Sequence, residues 1–204
     1  MTPNRHIRWQ FAKAVLRQPR TVGAIAPSSP AVAAELSMVV PSTGSPVVVE
    51  LGPGTGSVTD AIAARLPAGG RHLAVEVDID LVTHLRRTRP RVETLYGDAS
   101  NLVVLLDSVG VDRVDAVVCA LPWSLIGATK QREILDQIAG VIVPGGAVSA
   151  LAYPHAQWLP GARGFRGALG GMFDEVVRGP VVWRNAPPAV VYTCRRSASR
   201  ALSR

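Results

Sequence analysis

The chain has 204 residues, 48% of them hydrophobic and 18% charged, with a net charge of +7. That length and apolar content give one domain a large core and exclude a disordered polymer. No apolar run approaches the roughly 20 residues of a membrane span, and Met1 to Gln10 lacks the apolar stretch of a secretory signal, so a cytoplasmic protein is predicted.

The positive charge is concentrated at the start. Arg5, Arg8, Lys13, Arg17 and Arg20 precede the first acid, Glu35, with Ile7, Trp9, Phe11, Val15 and Leu16 between them. A helix from about Arg5 to Arg17 interleaves these cations with apolar groups. It can bind an anionic lipid surface, at about 1 kcal/mol per basic residue, with Trp9 at the headgroups. It can equally bind nucleic acid, or pack its apolar side on the domain. Ser28 and Ser29 precede a helix start, with Ser29 as N-cap and Pro30 at the first helical position, and amides exposed there suit a carboxylate or phosphate. The chain divides into a capping segment over 1–40, a main domain over 41–196 and a low-complexity tail over 197–204 that is predicted to fray.

Val47, Val48 and Val49 read as a buried parallel strand that stops at Glu50 and turns through Gly52, Gly54 and Gly56. The glycines permit positive φ and close approach of the backbone to a ligand. Their spacing is not G-x-G-x-x-G, and no Gly-Lys-Ser/Thr follows, so neither the dinucleotide fingerprint nor a Walker loop is present. Ser57 to Leu66 reads as a helix, with Val58, Ile62 and Leu66 on one face, ended by Pro67-Ala-Gly-Gly70. His72 to Val77 is a second buried strand. It delivers Glu76 about 20 residues past the glycines, where a βαβ unit brings a carboxylate to a ribose diol. Asp78 and Asp80 suit the cap of the next helix, and Glu76 and Asp78 can both be read that way.

Val92 to Tyr96 is a third strand leading to Gly97-Asp98-Ala99, and Asp115 to Cys119 is a fourth leading to Ala120-Leu-Pro-Trp123. Val141 to Leu151, interrupted by Pro144-Gly-Gly146, gives a helix stop and a fifth strand. The predicted fold is an α/β, doubly wound, Rossmann-like sheet in a three-layer αβα sandwich, its crevice over the carboxyl ends of the first four strands. Cys119 and Cys194 fall in buried strands, which fits reduced core thiols rather than a disulfide or a metal site. No metal is predicted.

Glu50-Leu-Gly-Pro-Gly-Thr-Gly56 resembles the first motif of the class I S-adenosylmethionine-dependent methyltransferases. The resemblance implies that Glu50, Gly52, Gly54, Gly56, Glu76, Asp98, Ala99 and Ala120 serve S-adenosylmethionine, with Asp98 accepting from the adenine amino group and Ala99 under the ring. A narrower likeness spans about Phe11 to Arg196. Phe11 to Ser29, ending in Gly23-Ala-Ile-Ala-Pro-Ser-Ser29, and Trp183-Arg-Asn-Ala-Pro-Pro-Ala189 resemble signatures of the soluble bacterial phosphatidylethanolamine N-methyltransferases. That family implies stepwise methylation of phosphatidylethanolamine towards phosphatidylcholine by a peripheral protein on an anionic cytoplasmic membrane face. The alternatives are an N-methyltransferase of a soluble small amine and an rRNA adenine dimethyltransferase. The last resembles this chain in its loop but carries Asn-Leu-Pro-Tyr/Phe after strand four, where the Asn accepts from the adenine amine. Ala120 cannot accept a hydrogen bond, so no nucleic-acid partner is expected.

Methyl transfer to nitrogen needs an aligned, deprotonated amine and little else from the protein. Tyr153 and His155, just past strand five, are the candidates for receiving the ammonium proton or holding the cation against an aromatic face. Arg20 and Arg184 are candidates for a lipid phosphate, Ser28 and Ser29 offer amides to an anion, and Trp123 offers a stacking face.

Overall fold

A computed structural model of the protein describes residues 27–196. The basic helix expected over 5–17, Arg20 and the tail at 197–204 lie outside the described residues. Seven strands form one mixed sheet in the order β3-β2-β1-β4-β5-β7-β6. They are β1 (Val47–Leu51), β2 (Arg71–Glu76), β3 (Glu93–Tyr96), β4 (Val114–Cys119), β5 (Ile142–Ala152), β6 (Glu175–Arg178) and β7 (Val190–Arg195). β1 to β5 pair in parallel, while β7 runs antiparallel between β5 and β6. The order reverses between β1 and β4, so the crevice predicted from the sequence opens at the carboxyl ends of those two strands.

Parallel strands are covered on both faces, which is why the apolar runs of β1 and β4 do not alternate with polar residues. On one face α4 (Leu102–Asp107), α5 (Ala128–Val141) and α6 (Pro160–Met172) bury Leu102, Ile134 and Phe165 against Leu73 and Val117. On the other, α1 (Pro30–Leu36) and α2 (Ser57–Arg65) bury Leu36 and Ile62 against Val48, Val118 and Val191. The remaining helix, α3 (Ile79–Thr88), starts at Asp78, whose side chain accepts from the Asp80 and Leu81 amides. Cys119 and Cys194 are free and buried, and burial raises both thiols, Cys194 to about 12. They are protonated core groups.

Two elements differ from the sequence expectation. Pro144-Gly-Gly146 does not stop the helix, because α5 already ends at Val141 and β5 runs without a break from Ile142. The three residues instead make an irregularity inside β5, where its register against β4 shifts and Gly145 takes φ +80°. Helix α6 carries five glycines in 13 residues, each costing about 1 kcal/mol in helix propensity. It forms because Phe165 and Leu169, both fully buried, anchor it to the core.

Ser29, the last residue of the first family-like signature, meets the second signature in space. Asn185, from Trp183–Ala189, accepts from the Ser29 amide at 2.8 Å and donates to the Pro187 carbonyl at 2.6 Å. Ser29 caps α1 through its hydroxyl, which accepts from the Val32 amide at 3.3 Å. Replacing Asn185 by Ala leaves that amide without its partner and should cost about 1 to 3 kcal/mol. A melting point lowered by several degrees, roughly 2–4 °C per kcal/mol, checks this; an unchanged one contradicts it.

Candidate active site

The turn after β1 has the geometry its glycines allow. Gly52, Gly54 and Gly56 have φ of +74°, +57° and +92°. A Cβ at Gly52 would lie 2.8 Å from the Leu121 side chain, and one at Gly56 would strike the Arg89 guanidinium. At Gly54 a Cβ would meet nothing within 4 Å, so the loop presents open backbone there. Arg89 is fixed over Gly56 by two 2.7 Å bonds to the Asp60 carboxylate.

Glu50 lines neither of the clefts described below. It is fully buried, accepts from the Thr59 hydroxyl at 2.8 Å, and lies 3.2 Å from His72 Nε2 in a contact without hydrogen-bond alignment. Its carboxylate faces back into β2 and α2, so it braces the loop from behind and does not line the crevice.

Glu76 is the acid that faces the ligand side. Its Oε1 accepts from the Val77 and Asp78 amides at 2.7 and 2.9 Å, and its Oε2 accepts from the Gly54 amide at 3.2 Å. One acceptor site of the four on a carboxylate is left, on Oε2, and it suits a ribose hydroxyl. Burial pushes the Glu76 pKa up, against the three amides, which lower it.

Glu76 lines a cleft with Gly52, Val75, Val77, Gly97, Ala99, Ala120, Leu121, Pro122, Ile126 and Ile134. Its apolar walls suit the flat faces of an adenine. Ala99 and Ala120 both belong to this lining. Asp98, at the edge of this cleft, is held from both sides. Its Oδ1 accepts from the Ser100 amide and hydroxyl at 2.9 Å, and its Oδ2 lies 3.0 Å from Lys130 Nζ. Lys130 also contacts the Ser100 hydroxyl. The sequence reading missed Lys130, a residue of α5 brought to Asp98 only by tertiary packing.

A second cleft opens at the carboxyl ends of β5 and β6. Trp123, Ser124, Tyr153, Phe165, Arg166, Arg178 and Tyr192 line it. Residues 120–126 border both clefts: Ala120 to Pro122 and Ile126 line the first, and Trp123 and Ser124 the second. This segment is fixed. Trp123 stacks on Phe165 at 4.2 Å, and the Gln131 amide nitrogen lies 2.6 Å from the Trp123 carbonyl, 2.9 Å from that of Ile126 and 2.8 Å from that of Gly161.

Tyr153 lines the second cleft and is buried, which raises its phenol to about 12. The hydroxyl stays protonated at neutral pH. It can hydrogen-bond an amine, but the proton-receiving role expected of it does not fit. His155 is exposed on the rim, 5.7 Å from the Tyr153 ring. Arg184 is exposed and lines neither cleft. The Ser29 amide is occupied by Asn185, and Ser28 lines neither cleft. The anion-binding roles expected of these three residues are therefore not part of either cleft.

Residues 48–146 match the model of the methyltransferase domain family. The ornithine lipid N-methyltransferase of Singulisphaera acidiphila is 31% identical over 179 residues, 85% of this chain and 88% of that protein. The chain belongs to the class I S-adenosylmethionine-dependent methyltransferases, in the lipid N-methyltransferase group. Solved structures agree in fold. The N-methyltransferase NodS of Bradyrhizobium japonicum has a TM-score of 0.65 at 17% identity, covering 82% of this chain and 95% of that one. The Bacillus cereus O-methyltransferase, solved in complex with SAH, has a TM-score of 0.64 at 14% identity, covering 96% and 93%.

The methyltransferase uses S-adenosylmethionine, and the first cleft fits it: open backbone at Gly54, a spare acceptor on Glu76, and apolar walls beside Asp98. Only the ionised Glu76 keeps that acceptor, so cofactor affinity should fall as the pH drops through the raised Glu76 pKa and be flat above it. Glu76→Gln should bind about 1 to 3 kcal/mol more weakly at pH 7.5 and lose the acid-side fall. Calorimetric titration between pH 5 and 8 checks both. Parallel pH curves for parent and variant would remove Glu76 from the ribose.

Proposed function

We propose that this methyltransferase transfers methyl groups to the amine of a lipid headgroup at a membrane surface. Phosphatidylethanolamine or its methylated intermediates, on the way to phosphatidylcholine, are the acceptors implied by the signatures at Gly23–Ser29 and Trp183–Ala189. The relative named for ornithine lipid supports the same chemistry on another lipid amine. The observation that carries the reading is the aromatic second cleft sharing the 120–126 wall with the cofactor cleft. An amine placed beside Trp123 and Tyr153 lies next to the segment that also borders the methyl donor's cleft.

S-adenosylmethionine supplies an electrophilic methyl group when bound. The chain's part is to align the amine, exclude water and let the ammonium lose its proton first. A lipid ammonium resembles lysine, with a pKa of about 10, so deprotonation at pH 7 costs a few kcal/mol. Burial among Trp123, Phe165 and Tyr192 disfavours the charged form and lowers that cost. Tyr153 holds the amine by a hydrogen bond, and His155 on the rim passes the proton to solvent.

The surface around the cleft supports a bilayer contact. Trp158 and Trp183 are 75% and 76% exposed. Trp158 follows Gln157 of the cleft lining, and Trp183 lies in the connection after Arg178, so both ride on loops at the carboxyl end of the sheet. Tryptophan is favoured at the depth of lipid headgroups. No helix among the described residues is long and apolar enough to cross a membrane.

Incubation with labelled methyl donor and mixed liposomes, followed by lipid separation, should place label in phosphatidylethanolamine derivatives or another amine lipid. Label only in soluble amines contradicts the proposal. In the same assay Tyr153→Phe should lower kcat/KM about tenfold, the loss of one hydrogen bond of ~1.4 kcal/mol, without moving the pH profile. A shifted profile would mean that the phenol itself carries the proton.

A further inference from the structure

The second cleft has a charge that the amine to be methylated does not explain. Arg166 comes from α6 and Arg178 from the end of β6, two separate elements, and both residues, exposed to solvent, line the cleft. No carboxylate lines it. Among the described residues neither arginine has an ion-pair partner, whereas the neighbouring Glu175 pairs with Arg195. A cleft with two cations and no anion repels a bare ammonium, yet the reading above requires an amine to enter it. The guest must therefore bring its own negative charge.

We propose that Arg166 and Arg178 bind the oxyanion of a zwitterionic headgroup, a carboxylate or a phosphodiester a few bonds from the amine to be methylated. The inference rests on the lipid-amine reading and assigns the part of the site that selects the headgroup. Two further groups support a polar ligand in this cleft. Trp123 and Tyr153, 2% and 8% exposed, line it, and Trp123 Nε1 and Tyr153 Oη are buried with no hydrogen-bond partner in the protein. Donors left unpaired are costly, and a hydrogen-bonding headgroup removes that cost. The guanidinium forks pair with an oxyanion through two parallel bonds, a geometry an ammonium ion cannot match. Their charge also acts on the amine. Two fixed cations near an ammonium favour its neutral form, the one that accepts a methyl group. The arginines thus admit the headgroup through its anion and help deprotonate it. A polycationic soluble amine is rejected by the same field.

The test uses the full chain and three acceptors in neutral-detergent micelles, where surface charge does not gather the substrate. They are phosphatidylethanolamine, an ornithine-containing lipid, and a long-chain alkylamine that has no anion. Parent, Arg166→Gln/Arg178→Gln and Arg166→Lys/Arg178→Lys are compared for KM, kcat and calorimetric S-adenosylmethionine affinity. The Gln pair should raise KM for the preferred zwitterionic lipid at least tenfold, and the Lys pair should fall between it and the parent. Cofactor affinity should stay within twofold, and the alkylamine should be used no worse by the Gln pair than by the parent. A larger loss on phosphatidylethanolamine identifies a phosphodiester guest, and a larger loss on the ornithine lipid a carboxylate guest. A parent active on either zwitterionic lipid, with KM unchanged within twofold in the Gln pair, overturns the arginine assignment alone. A parent that binds S-adenosylmethionine and methylates no lipid overturns the lipid-amine reading, and the assignment with it.

Discussion

Glu76 leaves water when the chain folds, and three backbone amides, those of Gly54, Val77 and Asp78, replace its hydration. Removing a carboxylate from water costs several kcal/mol unless charge-assisted hydrogen bonds take over. The Gly54 amide can reach Glu76 only if the chain between Gly52 and Gly56 follows its positive-φ path. The Val77 and Asp78 amides are in place only if β2 ends at Glu76. One carboxylate therefore ties the end of β1 to the end of β2 and sets the shape of the cofactor cleft. Behind it, Glu50 and Thr59 join the same turn to α2.

From that fixed edge the site extends along the carboxyl ends of the sheet. The Ala120 amide donates to the Leu51 carbonyl at 3.0 Å, so the segment after β4 leaves the sheet directly beside the glycine turn. Gln131 then holds the 120–126 segment against α5 and α6, and the Trp123 stack on Phe165 gives it a rigid far side. Two clefts bordered by one segment result. A methyl donor and an amine acceptor need that adjacency, because alignment supplies most of the rate when no covalent catalysis is involved. The group of lipid N-methyltransferases to which the chain belongs sets the chemistry, and on the proposed reading the second cleft sets which amines can use it.

The sequence made the cofactor half legible because its signals are local. The valine run of β1, the glycine spacing and the acid at the end of β2 each depend on neighbours within a few residues, and each lies where those neighbours imply. The motif that contains Glu50 says nothing of its side-chain direction. It lies on the buried side of β1, opposite Thr59 and His72. The acceptor half was mostly illegible. Five glycines hide α6 from any propensity argument, and the helix exists through the packing of Phe165 and Leu169. Arg166 and Arg178 look like ordinary surface cations until the sheet order places α6 and β6 at one cleft. Lys130 reaches Asp98 across about thirty residues of chain, a pairing that no periodicity reveals.

The adjacency of the two clefts is best tested by a crystal structure with S-adenosylhomocysteine and a short-chain amine lipid bound together. The sulfur should lie on the Ala120 side of the 120–126 wall and the amine nitrogen by Trp123 and Tyr153. The space between them should be open, in line with the nitrogen, and the size of the one methyl group that S-adenosylhomocysteine lacks. A headgroup bound away from Tyr153, or a wall segment standing between sulfur and nitrogen, would contradict the account.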